Sequence, residues 1–485
     1  MREMRDRGCE ELEGKEGLLG DGKLRTDGRM DLTYYFVGFL IVIYLLVPTF
    51  LYLVTPNPPD ESDLYKRRRV IVLVLGDLNR SPRMNYHAKS LAQLGYHVDL
   101  CGYNSADEEH EYVKPHELVQ LHAIPEIKNR LNLPFLLFAV HKVILQHYYL
   151  YRLLKELKGA DFLLVQNPPS VPVLGVVRFY ILFVSQHTKL VIDWHNLGYS
   201  ILALKLGNRH PFVWLYRWYE KILGRRAFAH LTVTVTMAKE LRSQFGMDAR
   251  RIIPLHDRPA EQFQVISSEK RGEVIKELES RYSQFRVHDD ELVVVTSTSY
   301  TPDEDLGMLL DALKTYDKQS PPLKKLRVII TGKGPMYSEV SQRIGQLELA
   351  RVSIHQLWLS NDDYPKILGI ADLGVSLHTS SSGWDLPMKV VDMFGCGVPV
   401  IALKFEALHE LVKDLKNGLT VTDSDTLVGA LQDLTSNPKS LAQIQKGALE
   451  ESKLRWAKNW STKVGPLFLM NNLLRPKPEH SSDSE

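Results

Sequence analysis

Short β-branched and aliphatic segments recur along this chain at helix-length intervals, and the series occurs twice. The first comprises residues 70–75, 97–101, 162–165, 190–193 and 231–235, and the second 292–297, 326–330, 352–356, 373–377 and 398–403. Such runs read as strands buried on both faces, and stretches such as 85–94 and 214–228 between them are long enough for crossover helices. That rhythm predicts an α/β protein with two Rossmann-like domains, each a doubly wound parallel sheet. A polar, charged stretch over 259–290 predicts a connector with a helix inside it. The expected layout is a polar tail (1–31), an apolar span (32–54), a first domain (66–258), the connector, a second domain (291–440), helices returning toward the first domain (441–474) and a disordered tail (475–485). At about 100–200 residues per domain, 485 residues accommodate both sheets.

Residues 32–54 carry no charge and, at about 1.5 Å per residue, span a hydrocarbon core of about 30 Å. Tyr34, Tyr35 and Tyr52 stand where interfacial aromatics belong, so the stretch reads as a single transmembrane helix. A cleaved signal peptide fits less well, because a long acidic stretch precedes the span and no small-residue cleavage site follows it. Lys23, Arg25 and Arg29 before the span nearly balance Lys66 to Arg69 after it, leaning slightly toward a cytosolic C-terminal body. The cysteines Cys9, Cys101 and Cys396 are far apart and odd in number, which fits a reducing compartment rather than a disulfide framework. Sixty Lys and Arg against fifty-eight Asp and Glu give +2, without the basic footprint of a nucleic-acid binder.

In open α/β sheets ligands lie beyond the carboxyl ends of the strands, so chemistry is expected in the loops that follow them. Asp77, Arg80, Ser81 and Arg83 follow the first strand and suit an anion or a sugar, although an ordinary turn with solvated charges explains the same residues. No GxGxxG is present, which argues against a nicotinamide enzyme. Asp193-Trp194-His195 places a carboxylate and an imidazole within three residues, suited to general acid or base work or to a structural role. Asp257 and Arg258 form a weaker group at the exit to the connector. Asp303-Glu304-Asp305 resembles a divalent-cation pair, but a helix start capped by Thr301 or Asp303 explains it more simply, and no metal is expected. Gly332, Lys333 and Gly334 let backbone approach a phosphate beside a point charge. The richest stretch, 378–400, joins a Ser-rich loop containing Ser382 to a Leu-Pro helix entry and a Gly-Cys-Gly turn. Asp385 and Asp392 are seven residues apart, about two helical turns, so Lys389 and Asp392 lie near one face with Asp385 at its start. A carboxylate there can accept ribose hydroxyls while Lys389 and the helix N-terminus face a diphosphate.

The segment from Leu386-Pro387 through Asp392 to Val400, with His409-Glu410 and Asn417-Gly418, resembles the nucleotide-sugar domain of GT-B glycosyltransferases. Together with Gly76-Asp77, Arg80 to Met84, Asp193 to Asn196, His256 to Pro259, Ser297 to Asp305 and Ser380 to Gly395, it is similar to the chitobiosyldiphosphodolichol β-mannosyltransferase family over about residues 68–470. The resemblance implies a GT-B fold of two facing domains behind one transmembrane helix, and transfer of mannose from GDP-mannose to GlcNAc2-diphosphate-dolichol with inversion. It implies the endoplasmic reticulum membrane with the catalytic body in the cytosol, other transferases of the same pathway as partners, and no cofactor. Donor binding is then expected at Ser297, Thr298, Gly332, Lys333, Gly334, Ser382, Asp385, Lys389 and Asp392, and acceptor or phosphate binding at Arg80, Ser81, Arg83, Asp257 and Arg258. The wider GT-B pattern has two glutamates with seven residues between them, whereas Asp385 and Asp392 have six, which puts the role of Asp385 in question. Asp77 and His195 are the expected candidates for the base, with Glu304 as an outsider. A lipid acceptor further implies that the apolar helices near 134–154 and 171–184 pack mainly on the sheet and partly on the bilayer. The competing functions are transfer of GlcNAc from UDP-GlcNAc and a non-catalytic, nucleotide-sugar-binding scaffold at the membrane.

Overall fold

The computed structural model describes residues 68–103, 116–283, 285–288, 290–320 and 323–469. The expected span at 32–54 and both terminal tails lie outside them, and among the described residues no helix is long and apolar enough to cross a membrane.

The first domain is built on strands β1 (Arg69–Asp77), β2 (His97–Tyr103), β3 (Val119–Ala123), β4 (Phe162–Asn167), β5 (Lys189–Trp194), β6 (Ala229–Thr232) and β7 (Ile252–Pro254), all parallel in the order β3-β2-β1-β4-β5-β6-β7. Its helices are α1 (Pro82–Gln93), α2 (Phe135–Glu156), α3 (Val173–Phe183), α4 (Gly198–Leu206), α5 (Pro211–Gly224) and α6 (Val235–Phe245). Five consecutive residues of β1, Val70 to Val74, are fully buried, because helices cover both faces of a parallel sheet. The Thr234 hydroxyl caps α6 by accepting the Met237 N–H at 2.9 Å, and Gly246 ends it at φ 64°.

The connector carries α7 (Ser268–Arg281), which packs on the second domain and buries Leu278 in that domain's core. There follow β8 (Glu291–Ser297), α8 (Leu306–Asp317), β9 (Lys325–Thr331), α9 (Tyr337–Gly345), β10 (Val352–Leu357), α10 (Asp363–Ile370), β11 (Leu373–Ser376), α11 (Met388–Gly395), β12 (Val400–Leu403), β13 (Gly418–Val421), α12 (Ser424–Ser436) and α13 (Pro438–Glu451). This six-stranded sheet is also parallel, in the order β10-β9-β8-β11-β12-β13. Strand order reverses between β1 and β4 in one sheet and between β8 and β11 in the other, the two switch points where a ligand crevice forms.

After α13 the chain crosses back, and α14 (Trp456–Lys463) and α15 (Gly465–Leu469) pack against the first domain. Trp456 donates its indole N–H to Ser90 at 3.1 Å, and the Phe468 ring lies 4.7 Å from that of Phe162. Two crossings thus tie the domains together at one edge and leave the carboxyl ends of both sheets facing a shared cleft.

Candidate active site

On the first-domain side, everything converges on Asp193 at the end of β5. This carboxylate is fully buried and accepts from the Arg83 guanidinium at 2.8 and 2.9 Å, from His87 Nε2 at 3.1 Å and from His195 Nε2 at 2.9 Å. Burial raises its pKa, but the Arg83 charge and the imidazole contacts outweigh that and hold it well below the usual carboxylate range. Trp460 donates its indole N–H to His87 Nδ1 at 2.8 Å, so that nitrogen carries no proton, and burial pushes the His87 pKa down. His87 is therefore a neutral spacer. His195 is half-buried, and with Nε2–H directed at Asp193 its Nδ1 keeps a lone pair, the arrangement a general base requires.

Arg83 and Asp257, expected to face an incoming anion, are instead turned inward on each other. Arg83 Nη1 reaches Asp257 at 2.7 Å and the Leu255 carbonyl at 2.8 Å. The helix start places Arg83 near the cleft, but two buried carboxylates within reach claim its guanidinium. Burial disfavours that charge, and Asp193 and then Asp257 more than restore it. Arg80 stays exposed near Asp77, Ser81 is buried and donates to the Asp77 carbonyl at 2.9 Å, and Arg258 pairs with Glu451 at 3.5 Å. The Asp77 carboxylate caps the short turn after β1 through the Asn79 N–H at 3.0 Å.

Across the cleft, the loops after β8 and β9 touch backbone to backbone. A Cβ on Gly332, whose φ is 140°, would lie 1.7 Å from the Thr298 carbonyl oxygen, and one on Gly334 would lie 1.7 Å from that of Ser299. Glycine there lets Ser297, Thr298 and Lys333 share one rim, with Lys333 Nζ 3.8 Å over the Trp358 ring. Glu304 pairs with Lys389 and accepts the Ser299 N–H at 3.2 Å. Burial lowers the Lys389 pKa against that partner. The helix start is capped by Asp305, which accepts the Met308 N–H at 2.8 Å, rather than by Thr301 or Asp303. Ser380 binds Asp385, Ser382 accepts the Trp384 N–H at 3.2 Å, and His378 stands 3.4 Å from Asp303. Asp303, Glu304 and His378 offer ligand atoms within 4.8 Å of one another, but the Lys389 ammonium already on Glu304 opposes a divalent cation there. Asp392 is half-buried, has no side-chain hydrogen bond among the described residues, and is pushed up to about 8 by burial and then by the Asp257 charge. A carboxyl held neutral both donates and accepts hydrogen bonds.

Contacts among the described residues join the two halves beside the cleft. Asn196 Nδ2 donates to Ser381 at 3.1 Å and the Thr234 hydroxyl to the Trp384 carbonyl at 2.6 Å. Glu410 accepts the Val235 and Thr236 N–H groups at 2.7 and 2.6 Å, and also binds His256 Nε2 at 2.7 Å. Burial raises the Glu410 pKa, while His256, Thr236 and the two N–H groups bring it down to about 2. Beside these contacts a cavity of about 270 Å³ opens between α4 and the loop carrying Ser381, Ser382 and Trp384. Glu410 lies in a motif legible in the sequence, whereas His87, Thr234 and Trp460 carried no signal there.

Residues 81–256 match the model for a glycosyl transferase 4-like domain, and residues 280–451 that for glycosyl transferases group 1. The chain is 52% identical to the chitobiosyldiphosphodolichol beta-mannosyltransferase of Yarrowia lipolytica, over 92% of this chain and 96% of that one. It is 38% identical to the protein of the same name from Homo sapiens, over 83% and 93%. Among solved structures, a sucrose-phosphate synthase from Thermosynechococcus elongatus superimposes with a TM-score of 0.64 at 14% identity, covering 84% of this chain and all of that one.

Proposed function

This chain belongs to the chitobiosyldiphosphodolichol beta-mannosyltransferase family, and from that premise we propose that it moves mannose from GDP-mannose to the dolichol-linked chitobiosyl diphosphate with inversion, using His195 as the base. It is a glycosyltransferase of the GT-B fold, and it mannosylates the lipid-linked precursor of N-glycans. The observation that carries the assignment of the base is the Asp193–His195 contact at 2.9 Å, one residue from the Asn196–Ser381 bridge to the other domain. Asp77 is engaged with its own turn and Glu304 with Lys389 and Ser299, which favours His195 over both.

In this reading the acceptor hydroxyl gives its proton to His195 Nδ1 as its oxygen bonds to the anomeric carbon opposite the diphosphate. The anomeric carbon–oxygen bond to the diphosphate breaks, GDP leaves with the electron pair, and the configuration inverts. Lys389, Lys333, the Gly332 to Gly334 backbone and the first turn of α11 stabilise the charge that develops on the leaving group. Ser297, Thr298, Ser382 and Asp385 line the donor side, and neutral Asp392 meets the ribose hydroxyls. Arg80 is the remaining cation on the acceptor side. The stretch 32–54 anchors the chain in the endoplasmic reticulum membrane with both domains in the cytosol, where other transferases of the pathway are its neighbours.

Turnover by the purified full chain tests this, with labelled GDP-mannose and a phytanyl-linked chitobiosyl diphosphate, in EDTA, beside a UDP-GlcNAc reaction. Product from GDP-mannose that survives EDTA is expected. Product from UDP-GlcNAc alone overturns the donor assignment, and nucleotide binding without product from either donor supports a scaffold.

A further inference from the structure

Helices α4 and α5 form a hairpin whose inward side is fully committed. Val213, Glu220 and Gly224 are buried, and α4 begins so close to α5 that a Cβ on Gly198 would meet the Tyr216 ring at 2.4 Å. Glu220 holds the pair together by accepting the Gly198 N–H at 2.8 Å and the Tyr199 N–H at 3.1 Å. The outward side carries large apolar groups in water. Trp214 is 68% exposed, Trp218 49% and Ile222 47%, and their spacing of four puts them on one face of α5. Leu204 and Leu206 of α4 are exposed beside them, and α3, tied to α5 by the Gly175 N–H to Tyr219 bond at 2.9 Å, adds Leu182 and Phe183.

The charge on this hairpin is of one sign. Between residues 201 and 226 the six cations Lys205, Arg209, Arg217, Lys221, Arg225 and Arg226 are all exposed, and the single acid, Glu220, is buried. Exposed tryptophan with aliphatic neighbours inside a rim of Lys and Arg is the composition of a surface that lies in a lipid interface. The cavity of about 270 Å³ beside the cleft is lined by Ala203 and Leu204 of α4 together with Ser381 and Ser382, so the apolar face runs on into the site.

We propose that the α4–α5 hairpin seats the first domain on a bilayer bearing anionic headgroups, with Trp214, Trp218 and Leu204 in the interface, so that a polyprenyl diphosphate enters the cleft from the membrane plane. The route for the acceptor rests on the transferase reading above, whereas the seating itself does not. It also moves the bilayer contact from the bodies of α2 and α3, where the sequence places it, to the hairpin beside them.

The test uses the full chain reconstituted in phosphatidylcholine–phosphatidylserine vesicles containing chain-brominated lipid, which quenches tryptophan on contact. The stretch 32–54 contains no tryptophan, so an anchor there is silent in this measurement. Wild type is expected to show a quenched component that the Trp214→Phe/Trp218→Phe variant lacks. A Lys221→Glu/Arg225→Glu variant is expected to lose turnover several-fold on vesicle-embedded long-chain acceptor while keeping it on a short-chain acceptor in detergent. Equal quenching of wild type and the tryptophan variant overturns the proposal, and a turnover defect confined to crude membranes would then assign the face to a protein partner. Failure of wild type on the short-chain acceptor counts against the transferase reading alone, because the quenching needs no substrate.

Discussion

Asp193 Oδ2 lies 2.9 Å from His195 Nε2, and the same oxygen accepts from Arg83 Nε at 2.8 Å. One carboxylate therefore serves two ends, orienting an imidazole at the cleft and neutralising a buried guanidinium behind it. Substitutions of the two partners should separate these roles. His195→Gln is expected to lower kcat by about 10²–10⁴-fold, the usual worth of a general base, with donor KM and thermal midpoint near wild type. Asp193→Asn should also destabilise the fold, by about 3–5 kcal/mol, because a buried cation loses a partner. Denaturant titration beside steady-state kinetics reads both, and an unchanged kcat in His195→Gln removes the imidazole from the mechanism.

Glu410 is a second joint between domains, and its stability has a predictable pH dependence. Its carboxyl titrates at about 2 in the folded chain, below the ordinary 4.5. A depressed acid contributes stability that is complete above 4.5 and is lost as pH falls from 4.5 toward 2. Glu410→Ala is therefore expected to cost about 1–3 kcal/mol at neutral pH, and less as acid is added, since wild type then loses the same bonds. Equal destabilisation of the variant at neutral and acid pH would rule this out.

The rim proposed to hold the donor depends on a glycine. Since a Cβ on residue 332 would sit 1.7 Å from the Thr298 oxygen, Gly332→Ala must part the β8 and β9 loops. The donor KM should rise at least about tenfold, the equivalent of about 1.4 kcal/mol, while acceptor KM changes little. An unaltered donor KM shows that the rim does not touch the nucleotide.

Asp392 behaves in the opposite sense to Glu410. Its folded value of about 8 lies above the ordinary 3.8, so the folded state pays nothing below 3.8 and loses stability as pH rises toward 8. Replacing it by the neutral isostere in Asp392→Asn removes that loss. The thermal midpoint of the variant, relative to wild type, is expected to climb between acid and mildly alkaline pH. A constant difference across that range means the carboxyl titrates alike in the folded and unfolded chain, and its pKa is not raised.

Strands such as Val70 to Val74 declared themselves because both faces are covered and every residue is apolar, whereas β3 and β13 are short edge strands with mixed burial, VQLHA and GLTV, and passed unseen. Helix α7 looks like part of a solvated connector because most of its residues are polar; buried Leu278, with Val274 and Ile275 packed beside it, attaches it to the second domain. Asp303 and Asp305 are equally plausible caps by type, and only the backbone selected Asp305.

By itself the sequence determined the two parallel sheets, and it pointed to the strand-end loops and to Gly332 and Gly334, where the β8 and β9 loops touch, since each follows from local periodicity or from a backbone constraint within a few residues. Tertiary structure decided which way the polar side chains point. Arg83 reads as an anion receptor until Asp193 and Asp257, 110 and 174 residues away, claim it. His87 is set neutral by Trp460, 373 residues away. Charge state and direction depend on whatever lies within about 4 Å, and in a doubly wound fold those neighbours come from distant strands and a returning C-terminal helix, which no local pattern encodes.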